Sequence, residues 1–277
     1  MKYIDTNRKE RKMASIIGII IAFVAIGLGM VMKGTSLGAL NNPAAFLIIF
    51  AGTASTILIA FPFSEFKRVP KLLKISMFDP KITSKVEQIA SLISCAEIAK
   101  REGILALEEF SANIEDPFYK NGLEMIIDGN DPEFIEEVLL DEVDALNKRH
   151  SVGSLIFTQA GTYAPTLGVL GAVVGLIAAL GNLNDVEKLG HSISAAFIAT
   201  LLGIFTGYVI CHPIANKLKR LSKQEQELKL LIIEGLLAIY KGVTPSNLEK
   251  KLAVYLPPKD RVKLMEKPED STNEKIA

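Results

Sequence analysis

Residues 154–180 read SLIFTQAGTYAPTLGVLGAVVGLIAAL, twenty-seven positions without a charged side chain. A hydrocarbon core ~30 Å thick is crossed by ~20 apolar residues in a helix rising ~1.5 Å per residue. Three further uncharged runs reach that length, at residues 14–32, 43–63 and 191–210. A chain with four such runs is an integral membrane protein. In lipid, only helices and closed barrels satisfy their backbone hydrogen bonds. Barrel strands would alternate apolar and polar positions, and these runs do not. The expected fold class is all-α: a polytopic membrane protein with four transmembrane helices and a helical cytoplasmic domain.

Thirty-one basic and thirty-one acidic residues cancel, so total charge names no partner and gives no sign of nucleic-acid binding. Their distribution is informative. Lys2, Arg8, Lys9, Arg11 and Lys12 precede the first run, and Lys67, Arg68, Lys71 and Lys74 follow the second. Lys148 and Arg149 precede the third, and Lys217, Lys219 and Arg220 follow the fourth. The hairpin loops hold Lys33 on one side and Asp185, Glu187 and Lys188 on the other. Basic flanks mark the cytoplasmic side. Both termini and the central block are therefore expected inside, and both hairpins outside. The first run is longer than the ~7–15 residues of a secretory signal core and reads as a retained span.

These signals divide the chain into a cytoplasmic N-terminus (1–13), a first hairpin (14–63), a helical cytoplasmic domain (64–153), a second hairpin (154–212) and a cytoplasmic C-terminal helix with a disordered tail (213–277). Asp131-Pro132-Glu133 is a helix start, an acid at the N-cap followed by proline. Phe134, Val138, Val143 and Leu146 then recur at helical spacing, so this helix runs straight toward the third span. Residues 83–110 show similar amphipathicity, interrupted by Gly103. Eleven acids and one lysine, Lys120, lie between Glu115 and Asp144; they form either a solvated face or a docking surface for a basic partner. Leu218, Leu221, Leu228, Leu231 and Leu236 continue a helix from the fourth span to about Tyr240, where Gly242 supplies a stop. The charged, proline-containing tail from Pro257 shows no apolar period and reads as disordered.

The two hairpins differ in kind. Ile, Ala, Phe and Leu dominate the first, which suits a lipid-facing wall. The third span places Thr158, Thr162 and Thr166 on one stripe, with Gly161, Gly168, Gly171 and Gly175 allowing close helix approach. The fourth adds Ser192, Ser194, Thr200 and Thr206, with Gly203 and Gly207 in a GxxxG. Such helices either line an interface or hydrated path, or pack ordinarily with hydroxyls bonded to their own backbone. Pro165 removes a donor inside the third span and frees the carbonyl of Gly161, which Thr162 is placed to help satisfy. Pro213 stands at the inner end of the fourth. No phosphate loop, metal-ligand spacing or nucleophile motif occurs, and Cys95 and Cys211 stand apart. His150, His191 and His212 lie at span ends, far apart in sequence. No enzyme activity, cofactor or metal is expected. No span offers an Asp, Glu, Lys or Arg, so a titrating group for ion transport must come from another chain.

Four spans in a two-plus-two layout, the Tyr163-Ala164-Pro165-Thr166-Leu167-Gly168 segment and Cys211-His212-Pro213 resemble the MotA family, the A subunits of the bacterial flagellar stator. So do Gly103-Ile-Leu-Ala-Leu-Glu108 and Ile114-Glu115-Asp116-Pro117. The resemblance covers roughly residues 14–255. It implies that the chain sits in the bacterial inner membrane and forms an ion channel with a B subunit (MotB-like). That partner carries the ion-binding aspartate and a cell-wall anchor, and the assembly converts ion flow into torque. It implies a pentamer of A subunits around two B helices, with spans three and four inside. Pro165 and Pro213 would couple ion passage to movement, Thr200 would face the ion path, and Tyr163 belongs to the same motif. Lys100 or Arg101, together with Glu108, would contact the rotor protein FliG. Arg101 and Glu108, seven apart, would share a helix face. Sodium-type relatives carry threonine where Ala172 stands, which favours protons; Thr166 as a compensating ligand keeps sodium open.

The rivals are an ExbB/TolQ-type energy-transducing subunit, a self-contained transporter and a membrane enzyme. The first has three spans rather than four. The second would hold its own ionisable or broken-helix ion site. The third lacks a catalytic constellation.

Overall fold

The computed structural model describes residues 2–78, 83–181 and 183–265, and all regular structure among them is helical. Helix α1 (Lys2–Met32) carries the first span, and a 3-10 turn (Leu37–Leu40) closes the loop after it. The second span is α2 (Pro43–Phe46), a π-helical segment (Leu47–Ala51) and α3 (Gly52–Ala60). Asn42 starts it: its Oδ1 accepts from the Ala45 amide at 3.1 Å, and Pro43 takes the first helical position. The span ends at Ala60, three residues short of the sequence expectation. Phe61, just before Pro62, is extended at φ −130°, and residues before proline are pushed out of the helical region.

Short helices α4 (Phe63–Phe66) and α5 (Val69–Met77) lead to α6 (Lys85–Glu102), which opens on a reciprocal Ser84/Glu87 capping box. Next come α7 (Leu107–Ala112) and α8 (Pro117–Ile127). Helix α9 (Pro132–Leu180) is a single 49-residue helix. Asp131 Oδ1 accepts from the Glu133 amide at 2.9 Å at its start, and the cytoplasmic-type helix and the third span are continuous, as the sequence suggested. Helix α10 (Val186–Ile204), capped by Asp185, passes into a π segment (Phe205–Cys211) and then α11 (His212–Tyr240). Gly242 at φ +69° provides the stop read from sequence. After α12 (Pro245–Leu252), a last helix, α13 (Pro258–Met265), occupies the start of the stretch expected to be disordered; Pro258 at its first position favours it. Residues 266–277 lie outside the described residues.

Among the described residues, four helices are long and apolar enough to cross a membrane: Ala14–Met32, Leu37–Ala60, Pro132–Leu180 and Val186–Tyr240. The chain divides into two compact units, residues 1–80 with 149–222 and residues 81–148 with 223–277. Of the central block expected over 64–153, residues 81–148 form a compact unit with the C-terminal stretch, whereas 64–80 and 149–153 fall in the first unit.

In the first unit, Asn42 Nδ2 donates to Ala195 O at 3.2 Å, tying the first hairpin to α10. Phe23 of α1 meets Phe205 edge-on at 4.7 Å between ring centroids. Ala45, Ile49, Ala164 and Ala199 form a small buried cluster. In the second unit, large aliphatic side chains fill the core: Ile89 and Leu92 of α6, Leu107, Leu123, Ile135 and Leu139, and Leu231, Ile232 and Leu236 of α11. Cys95 is fully buried there, and loss of solvation pushes its thiol up to about 12, so it stays protonated and unreactive. Lys85 pairs with Glu227 at 2.8 Å and Lys251 with Glu234 on the rim.

Candidate functional site

The glycines of the third and fourth spans bring α9 and α10 into backbone contact. A Cβ at Gly168 would lie 2.8 Å from Ala199 O, and one at Gly203 would lie 2.7 Å from Ala164 O. At Gly207 it would fall 2.5 Å from Gly161 O, and at Gly175 3.1 Å from Ala196 Cβ. Only a hydrogen fits in the first three places, so the helix backbones approach directly there.

Pro165 lies within this seam. Its ring carbons sit 2.6 and 2.7 Å from the point where a Gly207 Cβ would be, so only glycine admits the proline there. The carbonyl freed by the proline, Gly161 O, is the same one that faces Gly207. Thr162 does not satisfy it. The Thr162 hydroxyl donates one turn back, to Thr158 O at 3.1 Å, which is the carbonyl its own helical geometry offers. The His212 ring also lies against Gly161, 2.8 Å from a would-be Cβ. His212 also packs on Tyr208, with ring centroids 5.2 Å apart.

Pro213 follows directly. The π segment before it closes with the His212 amide donating to Gly207 O, a five-residue step. A proline ring clashes with the carbonyl four residues back in a regular helix, and widening by one residue relieves that clash. The two prolines therefore belong to one continuous structure: Pro165, Gly207, Gly161, His212, Pro213. Sequence reading had the prolines and the glycines but not their junction. The available signal was Pro213 standing where the fourth span runs on without a break into α11. Pro213 itself is exposed and Pro165 half-buried.

The hydroxyl stripe is where the spacing put it. Thr162 and Thr166 are exposed and Thr158 is half-buried. All three donate to their own helix, Thr158 to Ser154 O at 3.0 Å and Thr166 to Tyr163 O at 2.7 Å. Thr200, half-buried, donates to Ala196 O at 3.3 Å. Hydroxyl oxygens keep lone pairs after donating, so the stripe presents acceptors but no charge. Tyr163 and Ala172 are half-buried. Val169, Val173 and Ile177 extend this exposed face of α9. Among the described residues, no group of three His, Cys, Asp or Glu side chains could hold a metal.

In the second unit, Lys100 and Arg101 end α6, and Glu108 opens α7. All three are exposed. Arg101 and Glu108 do not share a helix face as expected. Gly103, at φ +92° and ψ 169°, ends α6 in a conformation open to glycine, and a 3-10 turn then redirects the chain. Arg101 instead pairs with its neighbour Glu102 at 2.7 Å.

The third and fourth spans thus pack through glycines around Pro165 and present exposed hydroxyls but no charged side chain. Two family models divide the chain: Motility protein A N-terminal matches residues 16–103, and the MotA/TolQ/ExbB proton channel family matches residues 111–229. Motility protein A of Bacillus subtilis (strain 168) is 55% identical, over 94% of this chain and 97% of its own length. The chain belongs to the motility protein A family. It is a flagellar motor stator subunit. The structure of the flagellar MotAB stator complex from Bacillus subtilis superposes with a TM-score of 0.86, covering 91% of this chain and 98% of that one. That of MotAB from C. jejuni, at 31% identity, superposes at 0.85 over 94% and 99%. The motility protein A fold is thus kept over nearly the whole chain, and the 103/111 divide between the two family matches falls at the Gly103 break.

Proposed function

We propose that this stator subunit is the A component of a proton channel, completed by a B-type partner that brings the ion-carrying aspartate. One observation carries the reading. The exposed stripe of Thr162 and Thr166 lies on a span with no charged side chain, and this chain's own helices leave it uncovered. A charge placed in lipid costs about 3 kcal/mol or more. A partner carboxylate that loads and releases a proton beside this stripe changes its preferred packing each time. Pro165 and Pro213, joined through Gly161, Gly207 and His212, are the parts of α9, α10 and α11 able to respond. The similarity to MotAB complexes supports the B-type partner. Five A subunits around two B helices, FliG as the rotor target of Lys100, Arg101 and Glu108, and cytoplasmic termini complete the proposal. No cofactor or metal enters it.

The match to a proton channel family and the methyl group of Ala172 favour protons over sodium. Motility in sodium-free medium, with and without a protonophore, tests this. Swimming without sodium that a protonophore stops supports the proposal. Swimming that needs sodium and survives the protonophore rejects it, and would make Thr166 the candidate sodium ligand.

A further inference from the structure

A basic segment follows the second span, which ends at Ala60, while α4 begins at Phe63. Lys67 and Arg68 join α4 to α5, and Lys71 and Lys74 lie on α5. Lys67 (φ −58°, ψ −19°) and Arg68 (φ −82°, ψ −15°) keep helical backbone angles, so helical spacing holds through the join. Lys67, Lys71 and Lys74, at i, i+4 and i+7, therefore form one stripe. The opposite face of α5 is used for packing. Val69, Leu72, Ile75 and Met77 lie against Phe157, Ile214, Ala215 and Leu218, and Ser76 is fully buried. Leu72 Cδ1 comes to 3.1 Å from where a Gly153 Cβ would be, so α9 admits the helix closely. A helix docked in this way keeps its lysines outward, and Lys67, Arg68, Lys71 and Lys74 are all exposed. Among the described residues no carboxylate pairs with any of the four. Lys67 Nζ stands 4.9 Å from the centroid of the exposed Phe63 ring, a contact that leaves its charge in place. Glu65 is the one acid of residues 61–78.

An outward basic stripe with an exposed aromatic ring beside it, starting three residues past a span, is the pattern of a helix at an anionic membrane surface. Cations meet phosphates there, and the ring meets the boundary with the acyl chains. The basic flanks put this end on the cytoplasmic side, where the leaflet carries anionic lipid; that orientation belongs to the proposed function. We propose that α4 and α5 form a binding surface for anionic phospholipid headgroups. Lys67, Lys71 and Lys74 take the phosphates, and Phe63 lies among the glycerol and upper acyl carbons. A free phosphate shares the charge chemistry but leaves Phe63 unused. An acidic protein would have to displace the headgroups that surround the end of the span. Because α5 packs on Ile214, the residue after Pro213, the lipid-bound helix braces the joint between the fourth span and α11 against the surrounding membrane.

Native mass spectrometry of the intact stator complex, extracted in mild detergent, tests the surface. The added probes are phosphatidylglycerol, phosphatidylethanolamine and inorganic phosphate. Lipid preference in detergent is read whichever way the chain faces, so its failure is distinct from a failure of the orientation. One variant carries Lys67→Gln, Lys71→Gln and Lys74→Gln and removes the stripe. A second places arginine at the same three positions and keeps the charge. A third, Lys241→Gln with Lys250→Gln and Lys259→Gln, removes equal charge from three exposed positions of the second unit. The unaltered complex should retain phosphatidylglycerol over phosphatidylethanolamine. Half-occupancy by phosphatidylglycerol should need at least about tenfold more lipid when the stripe is glutamine, each lysine at a charged surface being worth about fivefold. The arginine and second-unit variants should match the unaltered complex, and inorganic phosphate should not compete. Equal retention of the two lipids, an equal loss in the second-unit variant, or displacement by phosphate alone would each overturn the assignment. So would unchanged retention in the assembled glutamine variant of the stripe, which would leave these lysines to an acidic protein partner.

Discussion

Helices α9 and α11 each pass through both compact units, and along α9 the packing changes between its membrane span and its start. In the first unit, α9 offers Gly161, Ala164, Gly168 and Gly175, and contact is made backbone to backbone. In the second, the same helix offers Ile135, Leu139 and Val143, and α11 offers Leu231, Ile232 and Leu236, all deeply buried. The difference follows from the solvent. In water, burying apolar area contributes ~25 cal/mol per Å², so large side chains hold helices together. Against lipid tails that gain is absent, and close van der Waals approach between small residues takes its place. One sequence thus writes two codes on one helix, and a substitution should be read by the code of its own unit.

The largest break of this comparison comes from adding one methyl group to each. At Gly203 a Cβ would meet Ala164 O at 2.7 Å, and backbone on a packed helix cannot yield. At Gly122, in the second unit, it would meet Leu236 Cδ1 at 2.5 Å, the far end of a side chain. Gly203→Ala should abolish assembly of the stator complex and all swimming. Gly122→Ala should cost at most about 1–3 kcal/mol for overpacking, partly offset by about 1 kcal/mol of helix propensity. Native electrophoresis and soft-agar swimming check both. Similar phenotypes for the pair would dissolve the distinction between the two codes.

Next in size is the proline structure. Replacing Pro165 or Pro213 with alanine removes neither a core side chain nor a hydrogen bond, so the complex should assemble in normal amounts. Torque should nevertheless stop. An assembled complex that still drives normal swimming would show that the joint from Pro165 to Pro213 is static. In the second unit, where stability rather than motion depends on packing, Leu231→Ala should lower stability by about 2–5 kcal/mol, read as earlier thermal unfolding. If swimming survives at low temperature in Leu231→Ala but not in the proline variants, the two units separate into a stability element and a working element.

The four spans and the close approach of the third and fourth were legible because uncharged length and glycine spacing are one-dimensional signals. The start at Asp131-Pro132 and the stop at Gly242 were legible for the same reason. Three features were not. The π segments at Leu47–Ala51 and Phe205–Cys211 are changes of one residue per turn inside unbroken apolar runs, and no periodicity count resolves them. Gly161 O faces Gly207 across the seam, and the Thr162 hydroxyl goes to Thr158 O instead. The face shared by Arg101 and Glu108 assumed a helix through Gly103, where positive φ ended it. Each miss reflects a local rule overridden by a backbone conformation or a tertiary contact.

The smallest effect expected is at the ends of α6 and α7. Lys100, Arg101 and Glu108 are all exposed, and exposed ion pairs contribute ~0–1 kcal/mol each. A contact of that strength is too weak for permanent attachment and suits one made and broken at each step. Glu108→Lys alone should therefore slow swimming mildly, and combining it with Lys100→Glu and Arg101→Glu should slow it much more. If they meet the rotor as proposed, the turn at Gly103 makes the basic and acidic groups separate contacts, and their effects should add. Adding salt should not mimic the loss of assembly seen at Gly203, since the α9–α10 seam contains no charge to screen. A triple variant that swims normally would remove the second unit from the rotor interface. A single Glu108→Lys as severe as Gly203→Ala would mean that this exposed acid does far more than an exposed pair can.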